Sequence, residues 1–174
     1  VAVWFTSDTH FGDRRALNID RRPYPDLAAH DAGLIANWNE RIAPDDTVWH
    51  LGDVALGPSD TRIAEIVGSL NGVKHLIIGN NDGPGTLALQ AWASVGHYAE
   101  IDVDGRQLVL CHYAFRTWNG IGRGALNLHG HSHGKLAPAP RQYDVGVDVH
   151  ACAPVRLDEI LVSRRRKKPA EPSP

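Results

Sequence analysis

Five short clusters in this chain carry carboxylates, amides or imidazoles, three of them opening on glycine. They are Asp8-Thr9-His10, Gly52-Asp53, Gly79-Asn80-Asn81-Asp82, the single His112, and Gly130-His131-Ser132-His133. Asp8, Asp53, Asn80, His10, His112, His131 and His133 together offer two carboxylates, one amide oxygen and four imidazoles. That donor set suits a hard-to-borderline divalent cation, Mn²⁺ first, then Fe²⁺ or Zn²⁺, and not calcium, which takes oxygen alone. Asp8 and His10 are two residues apart, as are His131 and His133. On an extended segment that spacing points both side chains the same way. Each histidine of such a pair can face a different ion when two ions lie ~3.5–4 Å apart. A carboxylate has to sit between ions held that close. Asp53 is placed for this, because the preceding glycine lets backbone and ions approach.

Each cluster follows an apolar run that reads as a strand. Ligands in open α/β sheets gather beyond the carboxyl ends of strands, so five such ends imply one shared site. Residues 1–6, 47–51 and 73–78 are the first three strands. Helices are expected over 26–43, where Leu27, Leu34, Trp38 and Ile42 recur near helical spacing, over 58–70 and over 86–95. Residues 7–25 read as irregular. Strands over 98–103 and 107–111 are joined by the hairpin signal Asp104-Gly105, and 126–128 and 143–149 are further strands. Alternating βα units followed by antiparallel strands give an α/β class. One domain is expected over 1–163, with a basic, Pro-rich, disordered tail over 164–174.

The five clusters, in this order, resemble the pattern of the calcineurin-like metallophosphoesterase superfamily. The resemblance spans Asp8 to His133, and the stretches Trp4-Phe5-Thr6, Leu51-Gly52-Asp53 and 145–150 look like its short bacterial phosphoesterases. It implies two packed mixed β-sheets flanked by helices. It also implies a division of ligands, with Asp8, His10, Asp53 and His133 on one ion and Asp53, Asn80, His112 and His131 on the other. The activity implied is hydrolysis of a small phosphate ester by a metal-bridging hydroxide attacking in line, with His112 or an arginine helping to stabilise the developing charge. One position departs from the family. Asn81 stands where histidine is common, and that histidine is thought to protonate the leaving group, paired with the following aspartate, here Asp82. An amide donates hydrogen bonds but no proton near neutral pH. Phosphodiesters with good leaving groups are therefore expected to outrun alkyl monoesters. The alternative is a metal-binding regulatory or scaffold protein with little turnover.

Substrate contacts are open to two readings each. Arg14, Arg15, Arg21 and Arg22 follow the first ligand loop; a guanidinium there either clamps phosphate oxygens or is solvated loop charge. Arg14 and Arg22 are the candidates carried forward. Arg116 and Trp118 lie in a Gly-rich loop after His112, where Trp118 either stacks on substrate or packs. His150 either approaches the pocket or is structural, and His50 either backs the ligands or fills core. His129 alternates away from the ions, the His30-Asp31 pair is structural, and Cys111 is core.

Composition narrows the partners. The chain of 174 residues carries a formal charge of −2, but five of its 18 basic residues fall in 164–174. The remaining body is acidic, with 13 basic against 19 acidic residues, which gives no nucleic-acid footprint. No apolar run approaches a membrane span. Two cysteines make no disulfide framework, so the expected location is a reducing cytoplasm.

Overall fold

The computed structural model describes residues 1–166. The first sheet is built from β1 (Val3–Thr6), β2 (Thr47–His50), β3 (Val73–Ile77), β4 (Trp92–Gly96) and β9 (Val155–Arg156), in the order β4-β3-β2-β1-β9. The first four are parallel and β9 is antiparallel to β1. The second sheet has the order β5-β6-β7-β8, from β5 (Tyr98–Val103), β6 (Arg106–Cys111), β7 (Leu126–His129) and β8 (Gln142–Asp144). Here β5-β6 is the expected antiparallel hairpin, while β6-β7 and β7-β8 are parallel. Both sheets are therefore mixed.

Strand alternation sorts the apolar residues into two cores. Phe5, Ile77, Leu108, Leu110 and Leu128 are buried in one cluster between the sheets. Trp4, Val48 and Leu76, one residue out of phase, pack instead with Leu34, Trp38, Ile63 and Val67. The latter come from α2 (Leu27–Arg41) and α3 (Asp60–Ser69). Both helices start where a side chain satisfies an orphan N–H: Asp26 accepts from Ala29 and Ser59 from Arg62.

Several elements depart from the sequence expectation. The helix expected over 86–95 is a single turn, α4 (Pro84–Leu87), followed by β4. Trp92 donates its indole N–H to the Thr86 carbonyl, and the residues after it complete the sheet edge against β3; tertiary pairing overrides a short apolar run of ambiguous period. A short helix, α1 (Arg15–Asn18), forms within 7–25. The strand expected over 143–149 stops at Asp144, because the Asp144 carboxylate accepts from Gly146 N–H and turns the chain. A 3₁₀ turn, Val147–Val149, follows. Helix α5 (Leu157–Arg166) buries Leu157 and Ile160 in the inter-sheet core. It carries Arg164, Arg165 and Arg166, expected in the tail, into a helix whose anchor lies one turn earlier; arginine is a good helix former. Residues 167–174, the rest of that expected tail, lie outside the described residues.

Candidate metal centre

The parallel ladder of β1, β2 and β3 delivers its C-terminal ends to one place. Backbone bonds from Asp8 N–H to the Gly52 carbonyl (2.9 Å) and from His10 N–H to the Asp53 carbonyl (3.1 Å) carry the pairing past the strands into the ligand loops. There the chain bends. Asp8, His10, Asp53, His131 and His133 all have positive φ, between 47° and 65°. The expectation of an extended Asp-x-His pair is therefore corrected: two left-handed residues, not a strand, aim Asp8 and His10 together. Left-handed backbone is costly for non-glycine residues, and its clustering here marks a site that the surrounding fold over-determines. The adjacent glycines serve close approach. A Cβ on Gly52 would lie 2.5 Å from Gly79 N and 2.7 Å from His112 Nδ1, and one on Gly130 would overlap Ser7 and Asp8.

The orientation of the imidazoles is the decisive feature. His10 Nδ1 donates to Asp13 Oδ2 (3.1 Å), His133 Nδ1 to Asp148 Oδ2 (2.7 Å), and His112 Nδ1 to the Leu51 carbonyl (2.7 Å). With the outer nitrogen donating, the neutral ring presents the Nε2 lone pair inward. His10 Nε2 then faces Asp8 Oδ1 at 3.9 Å and Asp53 Oδ2 at 3.6 Å, and His133 Nε2 faces Asp8 Oδ1 at 3.8 Å. His112 Nε2 faces Asp53 Oδ2 at 3.6 Å and Asn80 Oδ1 at 3.1 Å. Lone pairs are turned toward carboxylate and amide oxygens, an arrangement that a cation between them satisfies. Asp8 Oδ1 and His10 Nε2 are buried without any hydrogen-bond partner. A buried polar atom left bare is expensive, so these residues fit a metal. The donor atoms of Asp8, His10 and His133 lie within 4.8 Å of one another, and so do those of Asp53, His112 and His131. Asp53 Oδ2, 3.6 Å from both His10 and His112, stands between the two groups.

Electrostatics follow from burial. Burial raises the Asp8 carboxyl to about 6 and lowers His10 to about 4. Burial also lowers His131. His133 moves the other way, raised first by its hydrogen bond to Asp148. Burial pushes Asp148 up, but hydrogen bonds from His133 and Arg22 outweigh it and hold that carboxyl well below the usual range.

Asn81 and Asp82 act at different places. Asn81 donates from its backbone to Asp53 Oδ1 (2.8 Å) and from Nδ2 to Asp53 Oδ2 (2.6 Å), so it grips the central carboxylate beside the cavity. Asp82 does not orient it. Its carboxylate accepts from the backbone N–H of Asp53 (2.9 Å), Val54 (2.8 Å) and Gly79 (2.8 Å), which ties the second and third ligand loops together away from the cavity.

The substrate candidates lie apart from the cavity beside the ligand groups. Arg22 is buried and faces inward. It makes a bidentate pair with Asp148 (2.9 Å each), donates to the Asp8 and Thr9 carbonyls, and donates to His30 Nε2. It braces the first ligand loop and cannot meet substrate. Arg14 is exposed and lines a separate groove with Leu17 and Pro25. Trp118 spends its indole N–H on the Ala125 carbonyl (3.0 Å), and its loop packs on itself. Arg116 is exposed and does not line the metal-site cavity. His150 hydrogen-bonds the Asp144 carbonyl and lines a different cavity with His129. His50 backs the ligands, bridging Thr9 Oγ1 (2.9 Å) and Gly52 N–H (3.2 Å). The ligand groups open into a cavity of about 260 Å³ whose wall includes Asp13, Arg15, Asn81 and Lys135. Tyr113 stands beside it, its ring 4.8 Å from that of His131. Asp13 has a local signal, three residues after His10. Asp148 has none, since only the fold brings it to Arg22, 126 residues away.

The domain model for the calcineurin-like phosphoesterase superfamily matches residues 2–145. The chain belongs to this superfamily. It is 30% identical to the Gene 66 protein of Mycobacterium phage L5, over 84% of this chain and 86% of that one. A Methanocaldococcus jannaschii protein is 28% identical, covering 91% of this chain and 89% of its own. The fold is also that of a protein of unknown function from Aquifex aeolicus (TM-score 0.74, 22% identity, 92% of this chain and 98% of that chain). Membership in a metallophosphoesterase superfamily implies divalent metal ions, and the two ligand groups are where this calcineurin-like domain would hold them.

Proposed function

We propose that this protein is a dinuclear metal-dependent hydrolase of small phosphate esters, with phosphodiesters of acidic alcohols preferred over alkyl monoesters. The observation that carries the reading is the set of imidazole lone pairs turned onto Asp8 and Asp53, with Asp8 Oδ1 and His10 Nε2 bare and buried. Asp8, His10, Asp53 and His133 would hold one ion, and Asp53, Asn80, His112 and His131 the other. When bound, two divalent ions supply Lewis-acid charge and lower the pKa of water, which generates a nucleophile at neutral pH. Manganese heads the candidates for a mixed oxygen and imidazole set, with iron or zinc as the others.

The chain's own residues do the rest. Asp13, Asp148 and the Leu51 carbonyl fix the rings of His10, His133 and His112. Asn81 and Asp82 fix the Asp53 carboxylate and its loop. Asn81 has no proton to give the departing alcohol, which favours leaving groups stable as anions. A cavity of about 260 Å³ suits a phosphate with small substituents. Cys111 and Cys152, both buried and neither in a disulfide, suit a reducing, cytoplasmic setting.

A second reading is a metal-binding module with little turnover. It is favoured by Asn81 itself, an amide that holds Asp53 through Nδ2 and offers no acid at that position. A panel of activated phosphomonoesters and phosphodiesters, assayed with Mn²⁺, Fe²⁺ and Zn²⁺, separates the two. Metal-dependent hydrolysis of the diesters supports the enzyme, and metal binding without hydrolysis supports the module.

A further inference from the structure

Among the arginines that follow the first ligand loop, Arg15 alone lines the metal-site cavity. Its Nε and Nη2 clasp Asp13 Oδ2 at 2.9 and 2.8 Å, and Nε also reaches Oδ1 at 3.1 Å. The same Asp13 carboxylate receives the His10 Nδ1 bond. Arg15 Nη2 lies 3.5 Å from Asn81 Oδ1, on the side of Asn81 away from Asp53. The guanidinium is thus fixed along one edge, while Nη1 donates to no described residue and the side chain is 49% exposed. An exposed ion pair contributes little to stability, so placement distinguishes this one. It is keyed to a metal-ligand histidine on one side and to the partner of the central carboxylate on the other.

We infer that Arg15 is a catalytic residue that hydrogen-bonds the departing ester oxygen, supplying charge at the position where Asn81 supplies no proton. This rests on the phosphoesterase reading above. Water forms the new P–O bond and releases its proton to solvent. The bond to the alcohol breaks, its electron pair stays on the alcohol oxygen, and that oxygen takes a proton from bulk water after departure. Arg15 keeps all its protons throughout and acts as a preorganised donor to the developing charge.

The test compares wild type, Arg15→Ala, Arg15→Lys and Lys135→Ala, each loaded with Mn²⁺. Lys135 lines the same cavity, 64% exposed and tied to Asp20 on the His133 side, so it tests a cavity-wall charge placed away from Asn81. Rates are measured over aryl phosphodiesters of graded alcohol acidity, and inorganic phosphate affinity by calorimetry. Arg15→Ala is expected to keep its metal content. It should lose about 10²-fold for the least acidic alcohols and far less for p-nitrophenol, and bind phosphate about tenfold more weakly. Arg15→Lys should recover part of the loss, added guanidinium ion should rescue Arg15→Ala, and Lys135→Ala should leave the leaving-group dependence unchanged. An equal loss across the whole series, or unaltered phosphate affinity, overturns the proposal. If wild type hydrolyses no ester, the hydrolase reading fails by itself. The catalytic assignment of Arg15 then falls with it, whereas an active wild type whose Arg15→Ala variant keeps the same leaving-group dependence overturns the Arg15 assignment alone.

Discussion

Asp148→Asn isolates what one carboxylate behind the metal site contributes. Asp148 takes the Nδ1 proton of His133 at 2.7 Å and pairs twice with the buried Arg22 at 2.9 Å. Asparagine keeps the volume, removes the charge and places an N–H₂ against one of these donors. Two effects follow on different axes. Loss of the partner that orients a metal-ligand histidine weakens metal affinity by about 10–100-fold, and only in the group containing His133. Arg22, whose side chain is 1% exposed, keeps its carbonyl contacts but loses its counter-ion. Removing one partner of a buried pair costs about 3–5 kcal/mol, which lowers the Tm by roughly 6–20 °C for a chain of this size. Calorimetric titration of Mn²⁺ into metal-free protein should resolve one weakened and one unchanged site, and a thermal melt should show the loss without metal. Two unaltered sites together with an unaltered melt would refute the placement of Asp148 behind His133 and Arg22.

Replacing Asn81 with histidine should raise rates for poor leaving groups more than for good ones, by up to about 10²-fold; identical dependence on alcohol pKa in both proteins would contradict the position given to Asn81. Chelation should lower the Tm, since each ion at a hundredfold its Kd adds about 2.7 kcal/mol, or roughly 10–20 °C for two sites; equal melts with and without metal at pH 7 would count against a shared site. Burial lowers His50 to about 3 from its ordinary 6.5. Its stabilising contribution is therefore fully present above 6.5 and is lost as pH falls toward 3, because the unfolded chain takes up the proton first. His50→Gln should flatten the acid limb of the metal-free Tm profile, and profiles that run parallel would contradict this.

The convergence of the two groups that could hold ions was legible because strands end in short polar clusters, and such ends converge whatever the details between them. The division of His131 and His133 between two groups also follows from their spacing. The backbone behind that spacing did not: Asp and His visit positive φ more than most side chains, but neither is glycine, and the type alone is too weak a signal to place a left-handed residue at Asp8 and His10. Arg22 shows where local reasoning fails most. An arginine beside a ligand loop invites a phosphate, but Asp148 and two backbone carbonyls claim it, and Asp148 is distant in sequence. β9 has only two residues, too short for a periodic pattern. α5 carried a signal in Leu157, Ile160 and Leu161, at positions i, i+3 and i+4, beneath a run of arginines. Residues 86–95 were misread because a parallel edge strand and a short helix share the same apolar content, and only the pairing with β3 distinguishes them.

The central claim is that Asp53 joins two ions in one centre, and metal content measures it most directly. Wild type and Asp53→Ala are loaded with Mn²⁺, freed of excess metal and analysed for bound metal per chain, with His10→Ala as the single-site comparison. The account predicts about two ions for wild type, a mainly one-sided loss for His10→Ala, and loss of both ions with all hydrolysis for Asp53→Ala. Full hydrolysis by exhaustively chelated wild type, or two ions retained by Asp53→Ala, would contradict it.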